Sequence, residues 1–212
     1  MEATLILVGQ YDSPFVRRVA IALRVYGLPY EHRPWSVFAD GDKIERYNPL
    51  RRVPTLILDD AEVLIESTAI LDYLDELVGP TKAIIHGGGP KRRAALKICA
   101  LATGLADKAV SLVYERALHQ ERSQVWLDRC SAQIAAVLTT LESERVRVTT
   151  PFWFGAAIGH SDIAVACALR FTREAHPGIF DERRWPALAA HAARCEALSI
   201  FREISQPFTP PS

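Results

Sequence analysis

Val53-Pro54-Thr55-Leu56, followed ten residues later by Glu66-Ser67, is the stretch around which this chain is organised. Proline can open a strand but cannot sit inside one, because it has no N–H for the ladder. The short apolar run after Pro54 turns through Asp59-Asp60-Ala61 and returns as Glu62-Val63-Leu64-Ile65, the pattern of a hairpin. Ser67 reads as a helix N-cap, since a serine hydroxyl accepts from a first-turn N–H. A polar loop, a hairpin and a helix N-terminus side by side make a natural seat for a small anionic peptide, because the first N–H groups of a helix lack partners within it. The Val53-Pro54 bond is open to either isomer.

Upstream, Thr4-Leu5-Ile6-Leu7-Val8 is a mostly apolar run ended by Gly9, as expected of a strand buried on both faces. Ser13-Pro14 reads as N-cap and first helical residue. Val16, Val19, Ala20 and Leu23 then recur at helical spacing, and Gly27 offers the stop. Arg17 and Arg18 fall outside that stripe and read as a solvated face, with Arg18 a candidate for neutralising charge near the site. Residues 29–34 form a second strand bounded by prolines, and residues 43–47 a short helix. Beyond the hairpin, Ile70, Leu71, Leu74, Leu77 and Val78 mark another helix. The order β-α-β-(α)-β-β-α is most economically buried as a mixed sheet covered by helices.

Gly79-Pro80 stops that helix, and Gly87-Gly88-Gly89-Pro90 punctuates the chain again. This divides it into an α/β domain over residues 1–79, a linker over 80–90 and an all-helical domain over 91–212. Helical patterning runs over residues 91–118, 123–145, 160–176 and 186–204. Residues 94–113 are apolar on more than one face, as in a central bundle helix or a dimer interface. The 25 basic and 25 acidic residues balance without a basic block, which argues against nucleic acid as partner. No apolar run has the length of a membrane span, and Met1-Glu2-Ala3-Thr4 lacks the basic region of a signal peptide. Four widely spaced cysteines, none at metal-ligand spacing, fit a reducing, cytoplasmic setting and no metal.

A thioredoxin-like unit joined to a helical bundle resembles the cytosolic glutathione transferases, and the resemblance covers essentially the whole chain. Three spaced signatures carry it: Ser13-Pro14-Phe15-Val16-Arg17-Arg18-Val19, Val53-Pro54-Thr55-Leu56 and Glu66-Ser67. The first is most similar to the serine-type classes, such as the plant tau group and its bacterial relatives. In the helical domain, Gly159-His160-Ser161-Asp162 stands where the family usually has Ser or Thr three residues before the aspartate. The hydroxyl half of that cap is therefore missing, and Asp162 reads as structural.

The resemblance implies glutathione as co-substrate, a small hydrophobic electrophile and a homodimer, in a cytoplasmic detoxification enzyme. It implies Ser13 as donor to the thiolate, Val53 and Pro54 presenting backbone to the cysteinyl peptide, and Glu66 and Ser67 holding the γ-glutamyl end. Arg52 or Lys43 would meet the glycyl carboxylate, Arg52 being favoured by its place beside the anchor. Tyr11 is the second candidate hydroxyl, and Tyr114, Phe15 and Phe208 are the candidate electrophile contacts, with Arg116 a possible polar group. No cysteine precedes Cys99, which disfavours disulfide exchange and the cysteine-based classes, and Asp12-Ser13-Pro14 does not match the serine-serine-cysteine typical of the isomerase class. The alternative function is a glutathione-binding or stress-associated interaction protein of the same fold without turnover.

Overall fold

The computed structural model describes residues 5–211. The Met1–Thr4 stretch read above lies outside them. Strand β1 (Leu5–Val8) is central in a four-stranded sheet of order β2-β1-β3-β4. It runs parallel to β2 (Tyr30–Arg33), with helix α1 (Pro14–Tyr26) as the crossover, and antiparallel to β3 (Thr55–Ile57), which pairs in turn with β4 (Val63–Ile65). Alternation along the strands sorts the two faces. Leu7 and its register partner Leu56 enter the core beneath α1 and α3 (Ser67–Val78), while Val8 and Ile57 meet Ile44 of α2 (Gly41–Glu45) on the other side.

Ser13 caps α1 by accepting from the Val16 N–H at 3.4 Å. Gly27, at φ 69°, ends the helix by donating to the Arg24 carbonyl while Leu28 N–H reaches Leu23. The arginine reading is corrected here. Every residue from Val16 to Leu23 is buried, because helices cover α1 on more than one side. Arg17, 2 % exposed, makes a two-pronged pair with Glu196 at 2.6 and 2.8 Å and also donates to the Ile204 and Phe201 carbonyls. Arg18 is 3 % exposed, with Nε and Nη1 unpartnered, and does not line the main cleft.

The remaining helices are α4 (Gly89–Leu118), α5 (Gln124–Val146), α6 (His160–Ala175), α7 (Pro186–Glu196) and α8 (Ser199–Glu203). The single helix read over 186–204 is two, because Leu198 adopts extended dihedrals and packs inward near Phe201. The apolar excess of residues 94–113 is spent mostly inside the chain, where α4 packs on α5 and α6. Ser67 is the first helical residue of α3, and the cap position belongs to Glu66, at φ 68°. With ψ at 122° this positive φ is a sparsely populated conformation that costs a non-glycine residue about 1–3 kcal/mol.

Hydrophobic packing crosses the boundary drawn over residues 80–90. Phe152, Ile163, Cys167, Cys195 and Phe201 complete the core under the sheet, and Phe15 packs against the helical core. A polar cluster reinforces the junction: Tyr26 Oη donates to Asp75, the Ile84 N–H donates to Tyr26 Oη at 3.1 Å, and His160 Nε2 lies 3.1 Å from the Asp75 carboxylate. Asp162 accepts from the N–H groups of Gly159 at 2.9 Å and Trp153 at 2.8 Å. A Cβ at Gly159 would stand 3.0 Å from the Ile84 carbonyl, so the linker crowds the hydroxyl cap that this position lacks. All four cysteines are free and buried.

Candidate active site

Gly9 lies where the two halves of the site meet. Its φ is +125°, and an added Cβ would stand 2.5 Å from Val16 Cγ2 and 2.8 Å from Val53 Cβ. Only glycine lets the end of β1 pass between the first turn of α1 and the loop before β3. Both backbone groups of Gly9 are held by the β2 end of the sheet: its N–H donates to Arg33, and its carbonyl lies 2.7 Å from His32 Nε2. Burial lowers the pKa of His32, which favours the neutral ring as the N–H donor in that contact.

The loop that follows reaches Ser13, on the wall of a cleft of about 580 Å³ between the sheet domain and α4. Of the residues named from sequence, Ser13, Phe15, Arg52, Val53, Tyr114 and Phe208 line this cleft. Pro54, Glu66, Ser67, Lys43 and Tyr11 do not. The Val53–Pro54 bond is cis, and Val53 lies just outside the paired register of β3. Glu66 remains close to the wall through an ion pair with Arg52 at 3.4 Å, and Ser67 is buried at the start of α3. Both partners of that pair are about half exposed, so it contributes little and is readily exchanged for other charges.

Two of the alternatives point elsewhere. Lys43 Nζ is 2.7 Å from Asp40 and 6.0 Å from the Trp35 ring centre. Tyr11 stacks on His32 at 3.9 Å and its hydroxyl lies 2.8 Å from that of Tyr30. Desolvation and that hydrogen bond raise the Tyr11 pKa far above the usual phenol value. Arg116 turns back to the Leu112 carbonyl and is absent from the lining.

The rest of the cleft comes from scattered segments. Trp35 and Phe38 arrive from the loop after β2, Asp107 and Val110 from α4, and Phe171 from α6. Phe38 meets Tyr114 across the opening at 5.3 Å, and Phe208 meets Phe171 edge-on at 5.5 Å. The C-terminal tail is tied down over this end: Gln206 accepts from the Tyr11 N–H at 3.1 Å, Glu174 from the Phe208 N–H at 2.8 Å, and Asp12 from the Thr209 N–H at 3.4 Å. Sequence patterning missed Trp35, Phe38, Asp107 and Phe171, and no local signal marks them.

Chemically, this wall can hold a thiolate. The Ser13 cap uses a lone pair of Oγ and leaves the hydroxyl proton free to donate. The same serine can therefore cap the helix and donate a hydrogen bond without conflict. The N-terminus of α1 adds its partial positive charge, while the neighbouring Asp12 carboxylate works against an anion there. Among the described residues, no cluster suited to a metal ion occurs, and no helix is long and apolar enough to cross a membrane.

Comparison with known proteins bears on the fold and the family. Residues 7–82 match the glutathione S-transferase N-terminal domain and residues 124–194 the glutathione S-transferase C-terminal domain. The GST-like protein YibF of Escherichia coli is 30% identical, the alignment covering 81% of this chain and 85% of that protein. A probable tau-type relative, glutathione S-transferase GSTU1 of rice, is 28% identical over 97% of this chain and 91% of its own length. The crystal structure of a glutathione S-transferase from Methylobacterium radiotolerans, in complex with glutathione sulfonate, superposes with a TM-score of 0.87 at 27% identity, covering 97% of this chain and 98% of that one. The two domain matches and these near full-length likenesses make this chain a member of the glutathione S-transferase family, and its activity is that of a glutathione transferase.

Proposed function

We propose that the protein activates the thiol of glutathione through Ser13 and directs the thiolate at a small electrophile held against α4. The observation that carries this reading is the hydroxyl of Ser13, a residue of the cleft wall, which caps α1 with a lone pair and keeps its proton available. Lowering a thiol pKa by two units requires about 2.7 kcal/mol of differential stabilisation. One hydrogen bond to a charged acceptor contributes about 1.5–3 kcal/mol, so the hydroxyl and the helix terminus suffice together.

Around the sulfur, the Val53 backbone beside Pro54 would pair with the cysteinyl unit as an added strand. The γ-glutamyl carboxylate would lie at the start of α3 by Ser67, and its ammonium against Glu66. Arg52 would leave its exposed pair with Glu66 for the glycyl carboxylate. Lys43 is already committed to Asp40 and is the weaker choice. In the reaction, the thiol proton leaves to solvent, the sulfur forms a bond to the electrophilic carbon, and the leaving group departs with its electron pair or a proton is taken up after addition.

The absorbance of bound glutathione thiolate against pH tests the assignment. Ser13→Ala is expected to raise the bound thiol pKa by about 1–2 units and to lower kcat/KM roughly 30-fold, in line with a lost charge-assisted hydrogen bond. Tyr11→Phe is expected to leave the thiol pKa in place. The reverse pattern would move the chemistry to Tyr11.

A homodimer is part of the same proposal. Leu77 of α3 and Leu96 of α4 remain exposed and are available to an interface. Sedimentation as a monomer at micromolar concentration would remove it. Residence in the cytoplasm is proposed on the four free cysteines, which suit a reducing compartment.

A further inference from the structure

The charges around the cleft are unevenly distributed. On the side assigned to glutathione, the cations Arg51 and Arg52 are both present, each in an exposed ion pair with acidic neighbours. Toward α4 and the tail the lining carries no cation of its own among the described residues, while the charge of Arg52 reaches Tyr114 and Arg33 and Lys43 lie 5.7 and 6.0 Å from the Trp35 ring centre. That lining carries two carboxylates, Asp12 and Asp107. Asp107 is offset by its own neighbour Lys108, whose ammonium lies 2.9 Å away and sits 5.5 Å from the Trp126 ring centre. Asp12 has no basic side-chain partner among the described residues; burial pushes its carboxyl above the usual range, and the Thr209 N–H, at 3.4 Å, and the Ser13 N–H act against that shift. Asp12 directly precedes Ser13.

The second observation concerns the apolar surface. Phe38, Tyr114, Phe171 and Phe208 line the same space. Aromatic faces attract cations and electron-poor rings and offer nothing to an anion. The tail closes this end, with Phe208 held between the Glu174 and Asp12 anchors. Asp12 is half-buried there, which strengthens the effect of its charge relative to full exposure.

We infer that Asp12 makes this transferase charge-selective, favouring cationic over neutral aromatic electrophiles and disfavouring those that bear a carboxylate. The inference rests on the transferase reading above and adds the class of co-substrate. Asp12 touches the co-substrate space and sets specificity; Ser13 remains the thiolate donor.

The test uses three chlorodinitrobenzenes alike except at the position para to chlorine: a carboxylate, a primary carboxamide, and a carboxamide carrying a trimethylammonioethyl group. In each, the glutathione sulfur forms the C–S bond, chloride leaves with the C–Cl electron pair, and the thiol proton goes to solvent. Each kcat/KM is divided by the uncatalysed rate constant with glutathione, which removes the intrinsic reactivity of the ring.

The expected corrected order is cation, neutral, anion, with about a tenfold span from first to last. Asp12→Asn keeps an acceptor for the Thr209 N–H and should reduce the span below about threefold. Removing the carboxylate also changes the thiol pKa, but that change is common to all three substrates and cancels in the ratio. Equal corrected rates in the wild type, or an anion preference, would overturn the inference and leave the transferase intact. A wild-type span that Asp12→Asn leaves unaltered would also overturn it and reduce Asp12 to a tail anchor. Glutathione binding by calorimetry without turnover of any probe would remove the transferase reading, and the inference with it.

Discussion

The two walls of the cleft are built by different means. The wall proposed for glutathione is made of backbone: the close pass at Gly9, the loop at Val53–Pro54 and the N-termini of α1 and α3. The electrophile wall is made of side chains from four separated segments, with the tail laid over them. Backbone geometry demands particular residues at fixed spacing, so the first wall leaves a motif. A surface assembled from apolar side chains accepts many substitutions, so the second leaves none. One wall is therefore suited to a constant ligand and the other to a variable one.

The largest expected effect attacks the backbone wall at its tightest point. Gly9→Ala adds a Cβ against Val16 and Val53 at a φ unsuited to alanine, and should cost about 3 kcal/mol with glutathione binding lost. Urea unfolding and calorimetry measure both quantities, and an unchanged protein would remove the claim that this pass is constrained. An intermediate effect concerns the helical side. Burial lowers the His191 pKa from 6.5 to about 4, so the unfolded chain takes up the proton first as pH falls. Stability from this group is present above pH 6.5 and is lost progressively down to pH 4, about 2 kcal/mol of it between pH 7.5 and 5. Asp162, whose carboxyl is raised by the same burial, opposes that trend at the acidic end. His191→Gln should flatten the decline in urea unfolding measured across that range. The smallest effect belongs to the variable wall: Phe208→Ala should raise KM for an aromatic electrophile roughly fivefold while glutathione affinity stays the same. Equal loss of both would mean that the walls are not separable.

The same contrast explains what could be read in advance. The strand, hairpin and helix order was legible because periodicity reports burial on one face, and Ser13 and Val53 stood out because cap and turn chemistry are local. Arg17 and Arg18 were misread for the converse reason: a stripe assigns charged residues outward, and only a helix covered on several sides draws them in. Leu198 broke a helix that patterning alone would continue, since its partners lie in a core shared with the sheet domain. Phe38 and Phe171 line one cleft although 133 residues separate them, a distance no window along the sequence spans.

The pairing of Arg17 with Glu196 and the α8 carbonyls bears on how the chain is made. During synthesis the first helix emerges well before the groups that neutralise its guanidinium and close its core, which lie 179 to 187 residues further along the chain. The amino-terminal half must wait, with Arg17 solvated and the under-sheet cavity open, until residues near 204 are free. The core beneath the sheet is accordingly completed only when both domains are present, so folding of the first domain is coupled to that of the second.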